Sequence, residues 1–378
     1  AAQGEKNMRD NPYRDLSAKE SDARAAAGEP FAIRLKVAET GKTSFEDAVY
    51  GQQERDYVET EDLVLLRSDG HPLYNLAVVC DDIEMAITHV IRGQDHLTNT
   101  HKQVLIYEAL GVTPPTFAHL PLIMAPNKGK LSKRKHGEVV SMTTYRDAGF
   151  LAAAFRNFLA LLGWSASEEK EIYTLDELIE KFTLEGIHRS NAVFNFTEND
   201  PRRWTDDKAQ WMNAEYIRTM PLDELIPFVR PELKAAKLWR DEYEDDDKAW
   251  FENTINLIRQ RFFTLKDFSR QGRAYFSEDY DFDPAAIEKN LSKFPDLKTW
   301  LPELAERFEA MDSFTEPEIE EVVKAFTEEK GTKLGVIMNG ARTLLTGVAV
   351  GPSMLSVFET LGKQTAILRL KSGLAWNS

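Results

Sequence analysis

Cysteine is nearly absent: Cys80 is the only one in 378 residues. A single thiol forms neither an internal disulfide nor a multi-cysteine zinc site. It makes the cytoplasm the expected compartment. No apolar run reaches the roughly 20 residues that cross a bilayer as a helix, so no membrane association is expected. The N-terminal AAQGEKNMRDNPYRDL lacks the apolar core of an export signal. It also lacks an initiating Met, which points to processing or truncation. Internal repeats and long low-complexity segments are missing too. Positive charge is in deficit, 47 Lys and Arg against 62 Asp and Glu, a net −15. As a bare sum that argues against a nucleic-acid partner.

Hydrophobic residues at 42% and charged residues at 29% are ordinary for a folded globular chain. The length suits two or three domains. The charge is also unevenly spread, and distribution outweighs the sum. Lys128, Lys130, Lys133, Arg134 and Lys135 place five cations in eight residues, with no acid between Pro121 and Gly137. From Gly331 onward Lys333, Arg342, Lys363, Arg369 and Lys371 face one acid, Glu359. Against these stands the block 241–247, where six of seven residues are acidic. Local basic surfaces can still take a polyanion.

Phe31, Ile33, Leu35 and Val37 alternate with polar or small residues, the period of a half-buried strand. Leu63–Leu66 reads as a strand, followed by an Asp69-Gly70 turn. LYNLAVVC, Leu73–Cys80, is a nearly continuous β-type run and predicts a strand buried on both faces of a parallel sheet. Thr88–Ile91 is another short β-type stretch. A helix is predicted from about Gln94 to Leu110, with Leu97, Val104 and Leu105 on one face and Gly111 as its stop. His119–Met124 reads as one more strand. Strand, helix, strand in that order implies a right-handed α/β crossover. From Tyr145 the pattern is helical, opening with the apolar stripe Leu151, Phe155, Phe158, Leu159, Leu162. Candidate boundaries fall near Pro126, near Pro221 and in the block 241–247.

Lys130-Leu131-Ser132-Lys133-Arg134 comes after a predicted strand and a loop with Pro126, Asn127 and Gly129. Lysines beside a small hydroxyl residue can fold over a triphosphate and stabilise charge moving onto pyrophosphate. Alone this short pattern is weak, and a solvated basic loop accounts for it. Asp81 and Asp82 read as caps rather than an acid–base pair. His96 and His101, five apart, are a poor spacing for a metal on one helical face.

The surrounding motifs add to that reading. YNLAVVCDD, ITHVIRGQDHLTNT, FAHLPLI, KLSKR and NFLALLGWS resemble, in order and spacing, the glutamate-specific class I aminoacyl-tRNA synthetases of bacterial type. GTKLGVIMNGARTLLTG and LGKQTAILRL extend the resemblance to the C-terminus, while residues 1–30 and 231–315 match loosely. It implies α/β architecture: the second half of a Rossmann-type catalytic domain, then α-helical stem-contact and anticodon-binding domains. The implied divisions are 1–78, a remnant of the acceptor-stem-binding insertion; 79–125, the catalytic half-fold; 126–220, the stem-contact domain with the KLSKR loop; and 221–378, the anticodon-binding domain.

By that resemblance KLSKR matches the second ATP motif of class I enzymes, with Lys130, Leu131, Ser132, Lys133 and Arg134 at ATP and Lys133 catalytic. Asp95, His96 and Ile123 match further ATP-contacting positions, Ile123 through its backbone. Tyr74 matches a tyrosine lining the glutamate pocket, and Arg92 an arginine gripping a substrate carboxylate. Arg offers a planar donor fork suited to a carboxylate. Read without the family, Arg92 equally suits a strand-end salt bridge, Tyr74 a core aromatic, and Asp95 a first-turn acid.

The chain departs from the family in three places. No His-Ile-Gly-His-type motif is present, so the sequence is expected to begin inside the acceptor-stem-binding insertion, and the polypeptide alone to be inactive. Where some relatives hold zinc by Tyr-Asp-Gly-x-Cys-Arg, Asn11-Pro12-Tyr13-Arg14 puts tyrosine in the cysteine position, so zinc is not expected. FNFTENDPRRWTDDKAQWMN is longer than its family counterpart near Asn199–Trp204. The implied activity is ATP-dependent ligation of L-glutamate to tRNA(Glu) through a glutamyl-adenylate, with Mg2+ accompanying ATP and a monomer as the expected state. The alternatives are an inactive tRNA-binding fragment and a glutaminyl-tRNA synthetase relative. The latter is expected to end in β-barrels rather than helices. A short tRNA-base-modifying relative lacks the C-terminal domain.

Overall fold

A computed structural model describes residues 11–166, 168–197, 200 and 203–372. Ala1–Asp10 and part of the expected insertion, Glu198, Asn199, Pro201 and Arg202, lie outside the described residues. The chain forms two compact units, Ala1–Lys135 with Leu159–Asn195, and His136–Phe158 with Phe196–Ser378.

The first unit is α/β. A helix α1, Ala18–Ala26, starts on a capping box from Ser17 to Glu20. Strands β1 (Ile33–Leu35) and β4 (Leu63–Leu66) pair antiparallel. The alternation expected from Phe31 to Val37 is shorter than read: Phe31 and Ile33 are exposed, and Val37 alone is fully buried. The main sheet is built from β2 (Lys42–Asp47), β3 (Gly51–Asp56), β5 (His89–Gly93) and β6 (Thr116–Leu120), in the order β3-β2-β6-β5. The β2–β3 hairpin is antiparallel; β2–β6 and β5–β6 are parallel. Helix α3, Leu97–Leu110, connects β5 to β6 and stops at Gly111, whose φ of +70° suits glycine.

LYNLAVVC is not a strand. It opens helix α2, Tyr74–Glu84, directly after the extended Pro72-Leu73. Leu76, Val79 and Ile83, at i, i+3 and i+7, pack toward Val104 and Tyr107. A continuous apolar run is compatible with either element, and tertiary packing chose the helix. Asp81 and Asp82 consequently sit in its last turns and are not N-caps. The single strand expected over His119–Met124 is broken at Pro121, which has no N–H to give to a ladder. The next strand, β7 (Ile123–Met124), pairs instead with β8 (Ala192–Val193). The boundary expected at 78/79 falls within α2, and the one at 220/221 immediately precedes the helix Leu222–Ala235.

The second unit is helical. Leu225, Val229 and Leu233 on the helix Leu222–Ala235 share one core with Leu297, Leu301, Leu304 and Phe308 on the helix Leu297–Glu309. Both sets repeat at i, i+4 and then i+7 or i+8, the stripe of a core-facing helix. The block 241–247 lies within this unit, anchored by the buried Tyr243. In the stripe that opens the helical region, Leu151, Phe155 and Phe158 are buried while Leu159 is exposed.

Candidate functional site

The parallel register of β5 and β6 sets Arg92 beside His119 and Gly93 beside Leu120. Arg92 is therefore the last residue but one of β5, just before the chain turns, through the 3-10 turn Gln94–His96, into α3. Carboxyl ends of parallel strands are where α/β folds place ligands. Nη2 of Arg92 donates to the Thr100 hydroxyl (2.6 Å) and to Gln103 Oε1 (2.7 Å). Gln103 in turn donates to Asn75 Oδ1 at 3.2 Å. The guanidinium lies 6.0 Å from the centre of the Phe117 ring. Among the described residues no carboxylate is within ion-pair distance of it, so the strand-end salt bridge is not formed. Burial pulls the Arg92 pKa down, while Tyr74, Asp82 and Tyr107 act the other way. A half-buried cation without a counterion is costly until an anion arrives.

Tyr74 is the first residue of α2 and 53% exposed, not a core aromatic. Its ring centre is 6.4 Å from that of His96. The sheet end, the start of α2 and the turn before α3 thus place Tyr74, Arg92 and His96 in one neighbourhood.

The KLSKR segment returns alongside β7. Asn127 Oδ1 accepts from Gly129 N (2.9 Å), and Ala125 N donates to Gly129 O (2.8 Å), closing a tight turn. Lys128 takes a φ of +61° there. Lys130 then bridges to Met124, and Leu131 N donates to the Ile123 carbonyl at 2.9 Å. Lys130 Nζ reaches Asp95 Oδ2 at 2.5 Å, and this contact holds the Asp95 carboxyl below the usual carboxylate range. Lys133 and Arg134 are exposed in the short helix Lys133–His136, and the Ser132 carbonyl accepts from Lys135 N. Asp95, Ile123, Lys130 and Leu131 are thus brought together, while Lys133 and Arg134 project as unburied cations.

Sequence reasoning missed a buried polar set next to Arg92: Asp47, Thr100, Gln103 and His119. A histidine inside the apolar strand FAHL was the signal available. Arg369 was misplaced as a surface cation. It is 3% exposed and donates to the carbonyls of Ala274 (2.8 Å) and Leu345 (2.6 Å) and to Glu278. Committed to that clamp, it cannot reach a phosphate. Lys363 Nζ is also engaged, by the carbonyls of Glu309 and Met311, and Lys371 pairs with Glu309. Lys333 remains exposed. Among the described residues, no three His, Cys, Asp or Glu are placed to hold a metal, and no helix is long and apolar enough to cross a membrane.

An α/β unit whose basic loop is tied back by Lys130 to Asp95, in a chain that continues as helices, is an arrangement found in class I aminoacyl-tRNA synthetases. The family described as "tRNA synthetases class I (E and Q), catalytic domain" matches residues 1–200, and "Anticodon binding domain" matches 222–374. The glutamate–tRNA ligase of Desulfotalea psychrophila is 47% identical over 362 residues, 96% of this chain and 74% of the relative. That of Thermus thermophilus is 39% identical over 373 residues, 98% of this chain and 75% of the relative. The crystal structure of a glutamate tRNA ligase from Elizabethkingia meningosepticum, in complex with its amino acid, superposes with a TM-score of 0.77 at 31% identity, covering 96% of this chain and 71% of that one. The chain belongs to the glutamate–tRNA ligase family.

Proposed function

We propose that the protein attaches L-glutamate to tRNA(Glu) in two steps. A glutamate carboxylate oxygen attacks the α-phosphorus of ATP, forming glutamyl-adenylate as pyrophosphate leaves. A terminal ribose hydroxyl of the tRNA then attacks the acyl carbon and AMP leaves. The observation that carries this reading is the half-buried Arg92, which has no carboxylate to pair with among the described residues. A substrate carboxylate would complete it through the planar fork. Tyr74 would line the same pocket. Asp95, His96, the Ile123 backbone, Lys130, Leu131, Ser132, Lys133 and Arg134 would face ATP, and Lys133 would stabilise charge as it moves onto pyrophosphate.

Class I synthetases use ATP, generally with Mg2+. The residues here do not fit a protein-built magnesium cage, because the nearby carboxylate, Asp95, is already held by Lys130. Hard divalent cations of this kind often ride on substrate phosphates, and no step here is routed through the ion. We read residues 221–378 as the anticodon-binding part and 126–220 as contacting the tRNA stem. Exposed Lys333 and half-buried Arg342 are left to approach phosphates, with the acidic block 241–247 turned away from the RNA. A monomer in the cytoplasm is the working state we propose.

The test is charging by the full-length protein with labelled glutamate or glutamine on tRNA(Glu) and tRNA(Gln). Glutamate on tRNA(Glu) is the expected product. Preferential transfer of glutamine would overturn the reading.

A further inference from the structure

Ionisable side chains are seldom fully buried unless paired, and the main sheet carries two together. Asp47 ends β2 and His119 lies in β6; both are wholly shielded from solvent, with Oδ2 and Nδ1 2.5 Å apart. Asp47 also accepts from the backbone N–H groups of Val49 (3.0 Å), Tyr50 (2.9 Å) and His119 (3.1 Å). Those contacts clamp the exit of β2 onto β6, and turn architecture alone would account for them.

Turn architecture does not account for the other side of the imidazole. His119 Nε2 is 2.9 Å from the Thr100 hydroxyl and 3.5 Å from Nε of Arg92. A carboxylate can only accept, so its contact keeps the ring hydrogen on Nδ1. Burial lowers the His119 pKa; Asp47 opposes the shift and Arg92 adds to it, so the ring is neutral near pH 7. Nε2 is then an acceptor facing two donors, the Thr100 hydroxyl and the Arg92 Nε–H. The His96 carbonyl, 3.2 Å away, is a second acceptor for the one Thr100 hydroxyl hydrogen; the shorter 2.9 Å contact gives that hydrogen to Nε2, and the Thr100 oxygen then accepts from Arg92 Nη2. Neutral acceptors therefore meet Nε and Nη2 of the guanidinium. A direct aspartate partner would hold Arg92 as firmly but would also neutralise it.

We propose that Asp47 and His119 are positioning residues for amino-acid binding. The carboxylate sets the imidazole tautomer, and the imidazole, through Thr100, holds the Arg92 guanidinium in the orientation that receives the substrate carboxylate. The arrangement fixes the arginine while leaving its charge for the substrate. It rests on reading Arg92 as the carboxylate grip of the ligation reaction. The same logic orients histidine ligands at metal sites, where a second partner fixes the tautomer.

The experiment is steady-state aminoacylation by the full-length protein, with glutamate and ATP varied separately. The variants are Arg92→Ala, His119→Asn, Thr100→Val and the double variant His119→Asn/Arg92→Ala, each checked for folding by thermal melting. Asparagine can still donate to Asp47 but lacks the Nε2 acceptor. Valine keeps the shape of threonine without its hydroxyl. His119→Asn and Thr100→Val are each expected to raise the glutamate KM about tenfold, with the ATP KM within about twofold of wild type. In the Arg92→Ala background, His119→Asn should add no further rise. The relay is overturned if Arg92→Ala raises the glutamate KM while folded His119→Asn and Thr100→Val do not. Equal rises in both KM values would also overturn it, because a merely structural role moves both. Should His119→Asn fail to fold, Thr100→Val decides alone. An unchanged glutamate KM in Arg92→Ala would instead remove the carboxylate reading of Arg92, and the relay with it.

Discussion

In the first unit, buried polar side chains converge: Asp47, Thr100, His101, Gln103 and His119 all lie within or against the main sheet. In the second unit the core of Leu225, Val229, Leu301, Leu304, Phe308 and their neighbours is apolar. Its buried acidic and basic groups among the described residues are Asp206, which caps a helix by accepting from Lys208 N, and Arg369, which clamps backbone carbonyls. A buried polar group must be satisfied in either place. In the first unit the satisfied groups include Thr100 and Gln103, neutral acceptors for the half-buried Arg92; in the second they tie chain segments together. Substitutions of the polar residues around Arg92 should therefore cost function, and those of the second unit's clamps stability.

The largest expected effect tests the functional side. Lys133→Ala in the full-length protein should slow glutamate activation by about 3–4 kcal/mol, the loss of one preorganised transition-state donor. Because Lys133 is exposed, the melting temperature should not move. Exchange of labelled pyrophosphate into ATP, run beside a melt, reads both; a wild-type exchange rate contradicts the role.

Arg369→Ala tests the other side. Removing it strands the carbonyls of Ala274 and Leu345. Glu278, at 60% side-chain exposure, can turn to water, so the expected loss in unfolding free energy is about 2 kcal/mol. Denaturant titration checks this. A normal midpoint together with weakened tRNA binding would instead return Arg369 to the RNA surface.

His101 supplies a pH-dependent signature of the first unit. Burial, with Arg55 and His119 adding to it, lowers its pKa to about 4. The unfolded chain takes up that proton near pH 6.5, so acid favours unfolding. Stability from this group is intact above about pH 6.5 and declines toward pH 4. His101→Gln should flatten the decline in a series of denaturant titrations, and an unchanged pH slope would assign it elsewhere. The smallest effect is Lys333→Ala, expected to reduce the log–log salt slope of tRNA binding by about 0.7–1, one phosphate contact. An unchanged slope would leave Lys333 as a solvated helix cap.

Much of the fold was legible in the sequence, for reasons local to each stretch. Gly111 ended α3 because its left-handed backbone excludes most residues, and the Asp69-Gly70 turn formed where the dipeptide stands. The helical stripes announced the second unit by their period alone. LYNLAVVC misled because valine-rich runs fit a buried strand, while Leu76, Val79 and Ile83 carried a helical spacing at the same time. The hairpin β2–β3 went unread because β3, GQQERD, is polar throughout. KLSKR and Arg92 stood out as charge in context, whereas the relay to Arg92 joins residues 47, 100 and 119, which meet only through sheet register and helix packing. Arg369 shows the converse limit: sequence gives a charge but not its direction, and Glu278 lies 91 positions away.

The chemistry proposed for the first unit turns on Arg92 as the grip on glutamate. The most direct test is the glutamate KM of the full-length protein carrying Arg92→Ala or Arg92→Lys. The expected result is a rise of about tenfold or more in both, because lysine keeps the charge but loses the fork, with the ATP KM little changed. An unchanged kcat/KM for glutamate in both variants would contradict it.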